Sequence, residues 1–343
     1  MMNTSKTNLS RPIMVIDGLN LFTRNFVVNE TTTATGELVG GVVGFMRALG
    51  NLINQFHPAS VYVVWEQGGP SQRRKHICPE YKANRLTTGQ GLKEMYRADG
   101  KFQPSSNPQN KVFQLQLLTK ALSTLPICQI YVQDTEADDV IAYLVKRKFQ
   151  TTNNTNLFVS NDKDFYQLLE DPNVRIFDPA TKMLIDSDAI KTKLGISPRN
   201  ITLARAVIGD PSDNLKGVEG IGFKTLASRF AAFSRDDVDL DRDWLIKESK
   251  ALHNASKRPL KCYSQIIEGE DIIERNWKLM FLDTFCLSSQ QIEKINYKVE
   301  NFEPVLNKME YLKIFTGNDI PISLEIEQAF SSAKTLFGAF SGS

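Results

Sequence analysis

PIMVIDGLN, residues 12–20, sets an unbroken apolar run against one carboxylate, Asp17, followed by Gly-Leu-Asn. A short apolar run rich in β-branched residues and lacking a helical period describes a strand buried on both faces. Such strands belong to parallel sheets covered by helices. The runs at 61–65 (VYVVW), 128–132 (CQIYV) and 157–159 (LFV) read the same way. Helical periodicity occupies 39–56, 111–125, 137–149 and 163–170. This alternation predicts an α/β fold, a parallel twisted sheet flanked by helices. Ligands of such sheets bind beyond the carboxyl ends of the strands.

Acids gather at those ends. Asp17 closes the first run, Glu66 follows VYVVW, and TEADD (135–139) supplies Glu136, Asp138 and Asp139. SNDKDF (160–165) adds Asp162 and Asp164, and GDPSDN (209–214) adds Asp210 and Asp213. Carboxylates brought within a few Å repel and raise one another's pKa, so a rim that collects them needs cations. Helix capping accounts for one or two acids per cluster, not for three in TEADD. Oxygen donors without His or Cys partners suit Mg²⁺ or Mn²⁺ rather than zinc. The chemistry expected is that of a divalent-metal phosphodiesterase.

Composition narrows the setting. The 41 Lys and Arg nearly balance 39 Asp and Glu in 343 residues, so net charge alone names no partner. Its distribution does: between Ser71 and Lys101 eight bases face three acids. Cys78, Cys128, Cys262 and Cys286 have no CxxC spacing, which fits free thiols in a reducing, cytoplasmic compartment. The first eleven residues read as a polar, disordered tail with no apolar signal core. No apolar run approaches the roughly 20 residues that span a bilayer, so a soluble protein with no membrane partner is expected.

Two further stretches carry chemistry. PEYKANR (79–85) joins Tyr81, suited to stacking on an unpaired base, to Lys82 and Arg85, suited to phosphate; Arg73 and Arg74 lie just before it. In GVEGIGFKT (217–225), Gly217, Gly220 and Gly222 permit a tight interhelical turn. Its amides, with Lys224, form a natural phosphate cradle.

The ordered set VIDGLN, PEYKANR, TEADD, SNDKDF and GDPSDNLKGVEGIGFKT resembles the 5′-to-3′ exonuclease and flap endonuclease family, particularly its free-standing bacteriophage members. The resemblance covers residues 12–233, and ERNWKLMFLD (274–283) matches a later helical segment more loosely. It implies a PIN-like nuclease domain over 12–197 with a helical arch at about 71–115. A helical DNA-binding region with a helix-hairpin-helix would follow over 198–328, and then a tail, 329–343. Asp17, Glu66, Glu136, Asp138 and Asp139 would serve a first metal, and Asp162, Asp164, Asp210 and Asp213 a second. Lys82 and Arg85 would reach the scissile phosphate, with Arg24 a further basic group near the site. Gly217–Lys224 would grip duplex DNA, where relatives also hold K⁺. Glu66 departs from the family's usual Asp, and its extra methylene shifts the carboxylate outward.

The expected function is that of a structure-specific 5′ nuclease. It would remove 5′ flaps and RNA primers from branched or nicked duplex DNA by two-metal hydrolysis, acting also on RNA–DNA hybrid, as a monomer in a bacterial or phage-infected cell. A PIN-like single-strand endoribonuclease would share the acids but need neither arch nor hairpin. A noncatalytic DNA-binding scaffold would have lost acids. Phe330, Leu336, Phe337 and Phe340 make the tail a candidate docking peptide for replication proteins, against the plainer expectation that it covers the protein's own core.

Overall fold

Strand β1 (Ile13–Asp17) sends alternate residues into two different cores. Ile13 and Val15 face one, Met14 and Ile16 the other, because successive side chains of a strand leave on opposite faces. The computed structural model describes residues 11–66, 70–83, 108–150 and 154–341. In chain order, β1 is followed by α1 (Gly18–Val28), α2 (Gly40–Phe56), β2 (Ser60–Trp65), α3 (Gln72–Ile77) and α4 (Pro108–Leu122). Then come β3 (Cys128–Tyr131), α5 (Ala137–Tyr143, continued by a π-turn to Lys148), β4 (Asn156–Val159) and a 3₁₀ segment, Lys163–Glu170. Strands β5 (Val174–Asp178) and β6 (Met183–Ile185) precede α6 (Ser187–Leu194) and α7 (Ile201–Ile208). A two-residue ladder, Gly209–Asp210 with Leu215–Lys216, leads to α8 (Phe223–Arg229). The remaining helices are α9 (Arg242–Asn254), α10 (Lys261–Glu268), α11 (Glu270–Met280), α12 (Ser289–Glu300), α13 (Lys308–Thr316) and α14 (Leu324–Ser341).

The sheet order is β3-β2-β1-β4-β5-β6, parallel except for the antiparallel edge strand β6. From β1 the chain builds outward to β2 and β3 on one side, then returns to place β4 and β5 on the other. The order therefore reverses between β1 and β4, and a crevice opens beyond their carboxyl ends, at Asp17 and Ser160–Asp162. The expected α/β parallel sheet is present, and all four anticipated strands fall within a residue or two of their runs. Strands β5 and β6 and helix α1 had no distinct signal in the sequence.

The helices after residue 198 do not form a separate core. Ile201, Leu203, Phe230, Leu245 and Ile266 share one apolar cluster with Val15, Ile130 and Phe158 of the sheet. The division at 197/198 is thus not a boundary between cores. The tail also departs from the docking expectation. Helix α14 lies across α2 and buries Ala329, Ala333 and Leu336 beside Phe45, Met46 and Leu49. The Phe330 ring packs tilted against Tyr311, with centroids 5.2 Å apart. Of the apolar groups named for a peptide anchor, Leu336 is buried and Phe330 and Phe337 half-buried, while the Phe340 side chain lies outside the described residues. Among the described residues, no helix is long and apolar enough to cross a membrane.

Candidate active site

Strand ends and helix starts bring the acids together. Asp17 ends β1 and caps α1, accepting from Asn20 N–H at 3.0 Å through Oδ1. Its Oδ2 accepts from Ser160 Oγ at 3.4 Å. Asp162 caps the 3₁₀ segment through the amide of Asp164 at 2.9 Å. Asp210 caps a 3₁₀ turn through Ser212 N–H at 2.9 Å. Capping and crowding coexist here: each of these carboxylates gives one oxygen to a backbone amide while standing among other acids. Glu66 reaches the opening of α5, where Ala137 N–H donates to its Oε2 at 3.4 Å. The longer side chain is therefore steadied by a helix N-terminus.

The electrostatics divide the acids into two groups that share Asp162. Burial raises the Asp17 carboxyl to about 7, with Glu66 and Asp162 adding repulsion against the pull of the Asn20 amide. Burial, and then the charges of Asp162, Asp17 and Glu66, push half-buried Asp138 up as well, with Lys82 opposing. In the second group burial and Asp162 raise Asp164 to about 7, although Arg205 opposes them. Asp213 and Asp210 add to that repulsion. Arg205 Nε donates to Asp164 Oδ1 at 2.8 Å and its Nη2 to Asp210 Oδ2 at 2.8 Å. Burial resists ionisation of Asp210, yet Ser212 and Arg205 hold it below the usual range.

Two of the expected metal ligands are placed otherwise. Both oxygens of Asp139 accept from the buried Arg74 fork, at 2.6 and 2.9 Å. Glu136 Oε1 accepts from Ser71 N–H at 3.0 Å and lies 3.0 Å from Arg74 Nη1, while Lys82 Nζ donates to Oε2 at 2.5 Å. Burial opposes the Glu136 charge, but Arg74, Lys82 and the Ser71 amide outweigh it and hold the carboxyl at about 2. These two acids face protein cations rather than open rim. The first group is therefore Asp17, Glu66, Asp138 and Asp162.

The basic segment is also corrected. Arg74, expected on nucleic acid, is 1% exposed and cannot reach a phosphate. Tyr81, expected to stack on a base, is buried against Cys78, Leu215 and Leu279, with its hydroxyl 3.4 Å from Asp213 Oδ2. Lys82 is buried, its amide donating to Asp213 O at 3.0 Å. Arg73 is exposed, 3.0 Å from Cys286 Sγ. Arg24 is exposed on α1, with Nη2 3.5 Å from Ala180 O at the β5–β6 turn, on the same rim. Arg85 and most of the Pro/Ser/Asn stretch at 100–110 lie outside the described residues.

At the far end of α7, the Gly217–Gly222 turn packs so closely that a Cβ on Gly217 would stand 2.0 Å from Ile208 O. At Gly222, which opens α8, a Cβ would meet nothing within 4 Å. Packing explains the first glycine and not the second; open space at a helix start suits a close-approaching anion. Lys224 is exposed two residues on. A cavity of about 1030 Å³ lies between this turn and α10, lined by Lys216, Gly220, Lys261 and Gln265.

Oxygen-only donors with raised carboxyl pKa values fit a hard divalent cation, which would return Asp17 and Asp138 to their anionic forms. Among the described residues, no three acidic, His or Cys side chains form a ready-made metal cage. Sequence reasoning missed Arg205 and Ser160. Arg205 was findable as the lone charge in apolar ITLARAVIG, since a charge on a buried helix needs a partner.

Comparison with known proteins bears on this geometry. Residues 12–195 match the family described as 5′-3′ exonuclease, N-terminal resolvase-like domain. A 5′-3′ exonuclease of Buchnera aphidicola subsp. Acyrthosiphon pisum is 28% identical over 296 residues, spanning 83% of this chain and 95% of that protein. DNA polymerase I of Thermus thermophilus is 32% identical over 214 residues, 62% of this chain but 23% of the polymerase. Among solved structures, the bacteriophage T5 flap endonuclease in complex with DNA and metal ions has a TM-score of 0.62 at 20% identity. That likeness covers 94% of this chain and 100% of the T5 chain, and it shows the fold.

Proposed function

This chain belongs to the 5′-3′ exonuclease family, and from that premise we propose that it is a structure-specific 5′ nuclease acting on branched or nicked duplex DNA. Its task would be removal of 5′ flaps and RNA primers, which makes RNA–DNA hybrid a second substrate, and it would work as a monomer. The observation that carries this reading is the meeting of Asp17, Glu66, Asp138 and Asp162 at the switch point of the sheet, beside the segment that carries Lys82. The T5 flap endonuclease was solved with DNA and metal ions, which supports the same classes of ligand here.

Asp17, Glu66, Asp138 and Asp162 would hold one Mg²⁺, and Asp164, Asp210 and Asp213 would serve a second, with Mn²⁺ able to substitute. Bound there, the metal supplies an acidified water and neutralises charge on phosphate oxygens. Lys82 is buried with its ammonium on Glu136 and would have to leave that carboxylate to offset charge on the phosphate. The Gly222 amide end of α8 and Lys224 would hold the duplex backbone, and the same turn would be the place for a K⁺ that helps neutralise phosphate.

Incubation with Mg²⁺ and, in parallel, a 5′-flap DNA, a nicked duplex and single-stranded RNA tests the reading. Cleavage near the flap junction and at the nick is expected, and none without divalent metal. Cleavage of the RNA alone would replace this reading with a single-strand ribonuclease.

A further inference from the structure

We propose that Arg74 is a positioning residue that ties the base of the arch to the metal-binding rim, with Asp139 as its anchor rather than as a metal ligand; the proposal rests on the nuclease reading above. Three elements meet at this one guanidinium. It leaves α3, grips the first turn of α5 through Asp139 and Glu136, and donates from Nε to Leu279 O near the end of α11 at 2.9 Å. The side chain is 1% exposed, so the fork meets neither solvent nor substrate.

Geometry gives the pair its consequence. Successive helical residues are rotated by about 100°, so pinning Asp139 inward turns Asp138 toward Asp17, Glu66 and Asp162. A cation placed on Asp139 would stand against the guanidinium, because both oxygens already accept from the fork at 2.6 and 2.9 Å. The arch base is fixed at a second point by Lys82 N–H on Asp213 O at 3.0 Å. Arg74 thus sets the stretch from Ser71 to Lys82 in register with both acid groups. A lysine keeps the charge and loses the paired bonds, so the two residues are not interchangeable here.

The test uses the full chain with Arg74→Lys and with the double variant Arg74→Met/Asp139→Leu, which replaces a buried ion pair by apolar groups of similar size. Four quantities are read: melting temperature, Mg²⁺ binding by calorimetry without DNA, Mg²⁺ dependence of single-turnover flap cleavage, and flap affinity in Ca²⁺. Arg74→Lys is expected to raise the half-saturating Mg²⁺ by about 10–100-fold, the range for residues that orient metal ligands, while flap affinity holds within about twofold. The double variant, which still leaves Glu136 to Lys82 and the Ser71 amide, is expected to melt below wild type but above Arg74→Met alone, and to keep the raised Mg²⁺ requirement.

Wild-type Mg²⁺ binding in Arg74→Lys overturns the proposal, as does a double variant that regains cleavage along with stability. Equal losses of rate and affinity overturn it too, by making Arg74 a DNA contact. If neither variant folds, Arg74 is a folding determinant only. A wild-type protein that binds Mg²⁺ but leaves the flap uncut sinks the nuclease reading instead, and calorimetry still judges Arg74.

Discussion

Lys82 Nζ donates to Glu136 Oε2 at 2.5 Å, and both side chains are buried. The lysine assigned to phosphate chemistry is therefore also the counter-ion of the first acid in TEADD. Lys82→Ala removes both roles. Single-turnover flap cleavage is expected to fall about a hundredfold, as for loss of one transition-state donor, with affinity much less affected. Stability is expected to fall by about 3 kcal/mol, the low end for breaking a buried pair, because Arg74 and the Ser71 amide still hold Glu136. Chemical denaturation and single-turnover kinetics measure the two effects. Equal losses of affinity and rate would make Lys82 a tether.

Asp162 belongs to both acid groups, and its Oδ1 also caps the 3₁₀ segment. Asp162→Asn keeps an oxygen for the cap and removes the charge. Cleavage in Mg²⁺ should be abolished, while flap binding is retained or tightened because repulsion toward phosphate drops. A variant cutting near the wild-type rate would remove Asp162 from the metal site.

Protons and metal should compete. Asp17 and Asp164 sit at about 7 in the folded chain, far above an unfolded Asp. Such groups favour the folded state while protonated, so their contribution is full below the unfolded pKa of about 4 and is lost as pH rises through about 7. Glu136, held at about 2, acts oppositely but stays ionised across this window. In EDTA the melting temperature should fall between about pH 5.5 and about pH 7.5. Mg²⁺ should shrink or reverse that fall, since it binds the ionised carboxylates. A melting temperature in EDTA that rises over this range would refute the crowding.

Lys224 is exposed at the start of α8, clear of the acids. Lys224→Ala should weaken binding to duplex DNA and lower the log–log salt slope by about one unit. An unchanged slope would leave Gly217–Gly222 as a structural turn.

Deleting residues 329–343 removes Ala329, Ala333 and Leu336 from the core beside α2. A lower melting temperature and poorer solubility are expected. Unchanged stability with intact flap cleavage would return this segment to a docking role.

What the sequence disclosed follows its physical signals. The β1, β2 and β4 runs were legible because strands buried on both faces are mostly apolar, and β3 by its Cys128, Ile130 and Tyr131 although it lies at the sheet edge; Asp17 and Asp162 marked where β1 and β4 stop. Strands β5 and β6 were not, since Arg175 interrupts VRIFD, MLI has only three residues, and both sit among charges and turn residues. The acids were legible as a set but not in their partners. Nothing local in TEADD tells Asp138, facing the rim, from Asp139, held by an arginine 65 residues away. Tyr81 misled because an aromatic between bases looks alike whether it stacks on a nucleobase or on Leu279.

Helix α14, the last element, covers α2, among the first. During synthesis the part of α2 that meets α14, where Ala329 packs on Gly50, therefore lacks its final cover until residues beyond 324 emerge, although α1 and β2 cover other parts of that helix earlier. Translation sets a long interval in which that face is open to chaperones or to other nascent chains. Premature termination between Asp213 and α14 would leave that part of α2 uncovered, even with every carboxylate of the rim in place.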